Sequence, residues 1–356
     1  MAKFSDVLTI INGRNQKQVE CENGKYPIYG SGGIMGYAND YICEAETVII
    51  GRKGNINKPI FVETPFWNVD TAFGLCANRK KLNPKYLYYF CEKFDFEKLN
   101  TTVTIPSLTK ANLLSIEIPL PDLNQQERIS TYFDKVSDLI SLRKQQLAKL
   151  DELVKARFVE MFGECSSIRP QKLKEVTRRV KVGFVGTCEK YYTDNTGVPM
   201  LRTTNITSHG IDLKDLKYVT KTFHEKNLKS QVHKGDLLIA RHGSNGQANV
   251  YYGDEAQCLN AIIIEPDSNI TNPIFLVNLI NSRRVKRQIE KELVGSTQHV
   301  LNTTTLANVE VEIPTIKDQQ AFAAFVERVD QQKQTVQQSL DKLELMKKAL
   351  MQEYFG

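Results

Sequence analysis

The feature that most constrains this chain is that it is written twice. The segment IEIPLPDLNQQERI, from Ile116 to Ile129, returns as VEIPTIKDQQAFA, from Val311 to Ala323. Each copy runs on into a long stretch of mixed polarity, and the stretches end alike, on Met161-Phe162-Gly163 and on Tyr354-Phe355-Gly356. A repeat of this length is read before any single residue, because each copy stands for one structural unit. Two copies in one chain predict a pseudo-two-fold molecule, suited to a target that itself has two halves.

The match extends outward in pieces. Lys3-Phe4-Ser5-Asp6-Val7 resembles Lys172-Leu173-Lys174-Glu175-Val176, and a glycine follows each, Gly13 and Gly183. ETVIIGRKGNIN, from Glu46, matches GDLLIARHGSNG, from Gly235, and Leu82-Asn83-Pro84 matches Thr271-Asn272-Pro273. Between these anchors the halves diverge. The plan is a variable globular region (residues 1–120), a connector (121–165), a second variable region (166–314) and a second connector (315–356).

The globular regions read as mixed α/β. Thr47-Val48-Ile49-Ile50 and Asp236-Leu237-Leu238-Ile239 are short apolar runs bounded by turn or polar residues, as strands are. Asn83-Pro84 and Asn272-Pro273 read as helix starts, since Asn caps free amides and Pro at the first helical position loses no hydrogen bond. Ile116-Glu117-Ile118-Pro119 and Val311-Glu312-Ile313-Pro314 alternate like a last strand that stops at Pro.

The connectors read as helices of nearly forty residues, about 55–60 Å long. Asp122 with Gln125, and Thr315 with Asp318, stand at capping spacing at their starts. A 4-3 spacing then runs through Ile129, Phe133, Val136, Ile140, Arg143, Leu147, Leu150, Val154, Arg157 and Met161. Its counterpart is Phe322, Val326, Val329, Lys333, Val336, Leu340, Leu343, Lys347, Leu350 and Tyr354. That is a coiled-coil seam. The nearest partner for each helix is its own repeat, and a two-fold axis across the helices makes the pair antiparallel. The expectation is a dumbbell with one globular region at each end.

Composition narrows the function. The formal charge of +6 permits nucleic-acid binding without demanding it. Seven scattered cysteines with no CxxC pair argue against a zinc site or a disulfide framework and fit a reducing cytosol. No stretch is apolar for long enough to cross a bilayer, and a cytoplasmic protein is expected. No catalytic set emerges. Gly30-Ser31-Gly32-Gly33 lacks the Gly-Lys-Ser/Thr of a phosphate loop and reads as a tight turn. All five histidines (His209, His224, His233, His242, His299) lie in the second half without metal-ligand spacing.

What remains are polar, basic loops. Arg52, Lys53 and Asn55 follow the first predicted strand as Arg241, His242, Ser244 and Asn245 follow the second. Arg donates twice to guanine, Asn brackets adenine, and Lys or Arg holds phosphate. Arg202, Thr204 and Asn205 offer similar donors, as do Thr101, Thr102 and Thr104 in the first half and Thr297, Gln298 and His299 in the second. Tyr29, Tyr37 and Trp67 could reach bases or sugars. These are candidate DNA-binding residues; no catalytic or metal-binding residue is expected.

The arrangement resembles the specificity subunit of type I restriction-modification systems. The residues that carry the resemblance are the connector starts Pro119 to Gln126 and Pro314 to Gln320, the paired segments GDLLIARHG and ETVIIGRKG, GVPMLRTTNIT from Gly197, and TIPSLTKANLLSIEIPLPDLNQQERI. The resemblance implies two target-recognition domains, each reading one half of a split DNA site, and conserved helices that space them. It implies two DNA adenine methyltransferase subunits as partners, with S-adenosylmethionine held on those partners and no cofactor on this chain. Motor-nuclease subunits join in a restricting system. A partner that fuses methyltransferase and nuclease would leave this chain looking much the same. A tandem protein-interaction module without DNA is the other reading, and salt-sensitive DNA binding separates it from the first.

Overall fold

The computed structural model describes residues 1–99, 107–163, 168–207, 210–241, 246–294 and 300–356. The chain forms two compact units, residues 1–146 with 336–356, and residues 147–335. Each unit therefore holds one globular region, part of one connector helix and part of the other.

The first unit is built on an antiparallel sheet of β1 (Leu8–Asn12), β2 (Thr47–Gly51), β3 (Ile60–Val62) and β4 (Ala72–Ala77), in the order β1-β4-β2-β3. The second unit has β5 (Thr177–Val182), β6 (Leu237–Ala240), β7 (Ala248–Val250) and β8 (Ala261–Pro266), in the corresponding order β5-β8-β6-β7. The central strands β2 and β6 are buried throughout, because both faces of the sheet are covered. Successive side chains point to opposite faces. Val48 and Ile50 join a core with helix α1 (Pro84–Lys93), whereas Ile49 joins Cys43, Val62 and Phe66. Leu237 and Ile239 pack with helix α3 (Pro273–Asn281) while Leu238 and Ala240 face the other way.

The matched glycines mark close backbone approaches. A Cβ on Gly13 would stand 1.7 Å from the Val69 carbonyl oxygen, and one on Gly183 would stand 2.5 Å from that of Cys258. Their amides donate alike, to Ala72 at 3.3 Å and to Ala261 at 2.8 Å.

Outside this shared sheet the halves differ. The first unit adds a three-stranded sheet in which Tyr26–Gly30 lies between Gly33–Ala38 and Trp67–Asn68. The second adds five strands, with Val198–Arg202 beside Ala256–Leu259 in parallel.

Helix starts follow the capping chemistry. Asn83 Oδ1 accepts the amides of Lys85 and Tyr86 at 2.9 and 3.1 Å, and Asn272 Oδ1 accepts those of Ile274 and Phe275 at 2.9 and 3.3 Å. The long helices α2 (Leu123–Phe162) and α5 (Ile316–Phe355) have forty residues each. The side chains of Asp122 and Thr315 accept the amides of Gln125 and Asp318.

Beyond the cap, one glutamine per helix makes the joint to its globular region. Gln126, fully buried, accepts the Asn83 amide at 2.8 Å and donates to the carbonyls of Lys81 (3.0 Å) and Pro121 (2.8 Å). Gln319 repeats this with Asn272 at 2.8 Å, and with Ile270 and Pro314 at 2.9 Å each. A primary amide is suited to the position because it presents one acceptor and two donors at once.

The last strands of the two halves pair in a register two residues away from the one that the sequence match predicts. The last strand of the first region is Glu117–Ile118, but its counterpart is Glu310–Val311, not a strand continuing to Ile313. Lys3 pairs with Glu117 as Lys172 pairs with Glu310, so Pro121, not Pro119, corresponds to Pro314. Val309 to Ile313 alternates with period two, and such a pattern matches itself after a shift of two residues.

The predicted seam is the buried stripe of both helices. Ile129, Phe133, Val136, Val154, Val326, Val329, Val336 and Leu340 are buried, and Ile140, Leu147, Leu150, Leu343 and Leu350 are half-buried. In the first unit the Phe133 ring lies 5.8 Å from that of Phe355, and Arg143 Nε donates to Ser339 Oγ at 3.2 Å. In the second, the Phe158 ring lies 5.4 Å from that of Phe322, and Lys333 pairs with Asp151. Rising numbers on one helix meet falling numbers on the other, so the pairing is antiparallel within each unit. The cations in the seam are all engaged: Lys347 pairs with Glu92 at 2.8 Å, and Arg157 pairs with Glu160 at 2.8 Å.

Candidate nucleic-acid interface

The loop after β2 is tied at its base and open at its tip. The Arg52 amide donates to the Thr71 carbonyl at 2.8 Å, and the Arg52 carbonyl accepts from Leu108 at 3.0 Å. Ile56, buried at the far end of the loop, anchors it in the core. Arg52, Lys53, Gly54 and Asn55 between these ties are exposed. The Arg52 guanidinium stands 5.7 Å from the Phe73 ring centre, which limits its range without using its hydrogen-bond donors.

The loop after β6 is tied the same way. The Arg241 carbonyl accepts from Leu301 at 3.2 Å, and Arg241 Nε donates back to the Leu301 carbonyl at 3.3 Å. Leu108 and Leu301 each precede a short helix, Lys110–Leu114 and Thr303–Ala307, capped by Thr109 and Asn302. A strand end, an arginine and a returning leucine therefore recur in both halves. Thr101, Thr102, Thr104, His242, Ser244, Asn245, Thr297, Gln298 and His299 lie outside the described residues.

A second element joins each loop. A Cβ on Gly51 would stand 3.0 Å from Ser31 Cβ, so the turn Gly30-Ser31-Gly32-Gly33 adjoins the Arg52 loop. In the parallel pairs, Tyr29 lies opposite Asn68, as Met200 lies opposite Gln257. Asn68 and Gln257 are both fully buried amides. Counting on from these pairs, Ser31 occupies the place of Arg202. Each half thus gathers two chain turns at the same end of its two sheets. Sequence comparison missed this equivalence because Gly-Ser-Gly-Gly and Arg-Thr-Thr-Asn share no residue; the buried amide opposite is the trace that could have found it. The first turn also exposes Ile34 and Met35 beside the basic loop.

The remaining candidates divide. Thr204 is exposed. Arg202 Nη2 donates to the Asp215 carbonyl at 2.8 Å. Asn205 is buried: its Oδ1 accepts the Arg202 amide at 3.0 Å and its Nδ2 donates to the Asp212 carbonyl at 3.1 Å, so its amide holds the turn together. Tyr37 is exposed, but Trp67 is a core residue whose Nε1 donates to the Arg14 carbonyl at 3.1 Å, and Tyr29 packs edge-on against Phe66. Aromatic content alone could not separate these three.

His224 is also interior. Gln257 Nε2 stands 3.1 Å from His224 Nδ1, while Gln257 Oε1 accepts from Ser230 Oγ at 2.6 Å. The other ring nitrogen, Nε2, faces Glu255 at 3.5 Å. Among the described residues no cluster of His, Cys, Asp or Glu is arranged to hold a metal ion, and no helix is long and apolar enough to cross a membrane.

Comparison with known proteins bears on the same two repeats. A family model, the type I restriction modification DNA specificity domain, matches residues 1–152 and 180–345. A type I restriction enzyme specificity subunit of Haemophilus influenzae is 23% identical over 344 residues, covering 92% of this chain and 86% of the relative. The MjaVIII specificity subunit of Methanocaldococcus jannaschii is 23% identical over 332 residues, covering 86% and 75%. The crystal structure of a type I restriction-modification system S subunit from M. genitalium superposes with a TM-score of 0.65 at 15% identity, over 100% of this chain and 95% of that one. With both sheets, both loops and both connector helices inside or bordering the matched regions, this chain belongs to the type I restriction modification DNA specificity domain family, as a specificity subunit.

Proposed function

We propose that each globular region reads one half of a bipartite, gapped DNA target. In this reading α2 and α5 set the spacing of the half-sites and dock two DNA adenine methyltransferase subunits. Those partners bring S-adenosylmethionine and make the bond; this chain supplies sequence choice and scaffold, in the cytoplasm. Motor-nuclease subunits would add cleavage of unmodified DNA. The observation that carries the reading is the repeated tie: in both halves an arginine follows the sheet strand and a returning leucine bonds its carbonyl, and in the first half the segment beyond that arginine is exposed. Loops held in this manner place donors for base edges, while phosphate contacts fix their register on the duplex. The divergence of the adjoining turns, Gly30 to Gly33 against Arg202 to Asn205, favours unlike half-sites and an asymmetric target.

The test is a genome-wide map of N6-methyladenine in the host. The expected result is one gapped motif that disappears when the gene is deleted. Replacing residues 1–115 by the variable region of a related subunit should change one half of that motif and leave the other. A change in both halves, or in neither, overturns the two-reader assignment.

A further inference from the structure

Among the described residues, the second half carries an element that the first does not. After α1 the chain passes through Phe94 to Leu99, where a short turn of 3-10 helix covers Phe96–Leu99. After α3 it forms a twelve-residue helix, α4 (Arg283–Val294), with five cations against two carboxylates. Its buried side is Val285 and Ile289. On one flank the fold uses its polar groups internally. Arg284 Nη2 binds Glu312 at 2.7 Å, and Gln288 exchanges two hydrogen bonds of 2.9 Å with the Glu310 backbone.

The side facing solvent, opposite Val285 and Ile289, is different. Arg283, Arg287 and Lys291 follow one another at i, i+4 and i+8, and so form one ridge. All three are exposed, and among the described residues none has an ion pair. Glu290 borders the ridge, three residues from Arg287 and four from Lys286, on whose ammonium its charge also acts. The ridge spans about 12 Å at 1.5 Å per residue, a length along which a duplex carries roughly seven phosphate charges.

Position links this helix to the candidate interface. A Cβ on Gly246, at the end of the Arg241 loop, would stand 3.6 Å from Lys286 Nζ, 3.9 Å from Ile289 Cδ1 and 3.5 Å from Leu301 Cδ2. The helix thus walls the loop and shares with it the leucine that ties Arg241.

We infer that Arg283, Arg287 and Lys291 form a phosphate clamp on the DNA backbone beside the half-site read by the second region. This rests on the DNA-reading function proposed above and adds to it a set of backbone contacts made by the second half. Charge complementarity selects the occupant. A cationic ridge next to a base-reading loop fits a polyanion, and on the adjoining flank Arg284 is already paired with Glu312.

The test is the salt dependence of binding by the full chain in complex with its methyltransferase. The probes are a duplex carrying the mapped motif and a duplex of unrelated sequence. For R283Q/R287Q/K291Q, the slope of log affinity against log salt should become shallower by about 2–3, at about 0.9 per lost phosphate contact, on both probes. The methylated motif should stay the same. R283K/R287K should keep the wild-type slope, and Gln, a good helix former, preserves the helix. A wild-type slope in the triple variant overturns the clamp while leaving the DNA-reading function intact. If the triple variant instead loses its methyltransferase while the chain alone keeps its slope, the ridge is a protein-docking face and the clamp is wrong. A wild-type complex with no salt-dependent binding to either probe removes both proposals.

Discussion

Single side chains in this protein divide between joints and readers, and the two make different predictions. Gln126 satisfies three backbone groups from a fully buried position. Gln126→Leu strands those groups, and an unsatisfied buried polar group costs about 1–3 kcal/mol. The expected outcome is a loss of about 3 kcal/mol in the first unit, read as a lowered midpoint in urea. An unchanged midpoint would mean that water replaces the amide. Arg52 is a reader. Arg52→Ala should slow methylation of the target about 10- to 100-fold, the effect of about 1–3 kcal/mol for a bidentate contact to a base. Arg79→Ala, which removes an exposed pair with Glu46, should leave methylation unchanged. Equal effects from the two would argue against a specific role for the loop.

Asp236 gives a pH prediction at the same scale. Burial pushes its carboxyl above the usual carboxylate range, opposed by the hydrogen bond it accepts from the His233 amide at 2.9 Å. A folded-state pKa above the unfolded value means that the native state keeps the proton longer. The resulting stabilisation is present below the unfolded pKa and is lost as pH rises through the folded one. The midpoint of wild type minus that of Asp236→Asn should therefore shrink as pH rises from about 3 to about 7. A flat difference would show that the buried carboxyl titrates normally.

At the scale of elements, α2 and α5 are held by a narrow stripe, so neighbouring positions should differ sharply. Phe133 is fully buried and lies 4.8 Å from the Tyr89 ring centre, whereas Tyr132 beside it is 45% exposed. Phe133→Ala should cost about 3–5 kcal/mol, and Tyr132→Ala within about 0.5 kcal/mol, both measured by chemical denaturation. Comparable losses would mean that the helix packs on a broad face, not on a seam. The stripe was legible in the sequence because a helix repeats its faces every 3.6 residues. The partners of the cations within it were not, since Arg143 and Ser339 are separated by most of the chain.

At the scale of the molecule, the prediction concerns the connectors as a ruler. Removing two heptads from each of α2 and α5 shortens each by about 21 Å, the rise of about six base pairs at 3.4 Å. The methylated motif of that variant should have a shorter gap, with unchanged bases on either side. The same gap would show that helix length does not set it.

The sequence by itself determined the repeat, the strands β2 and β6, the asparagine-capped starts of α1 and α3, and the seam. Each of these is encoded over a few neighbouring residues, in a period, a cap or a fixed φ. Tertiary structure alone decided the rest. It buried Asn205 and Trp67 and left Lys53 and Asn55 in solvent, although all four are plausible contacts by composition. It set Ser31 in the place of Arg202, and it chose Glu310–Val311 over the next two residues as the last strand. Whether a polar side chain turns inward depends on carbonyls and amides supplied from elsewhere in the chain. A period-two pattern cannot by itself say which of its registers finds a partner.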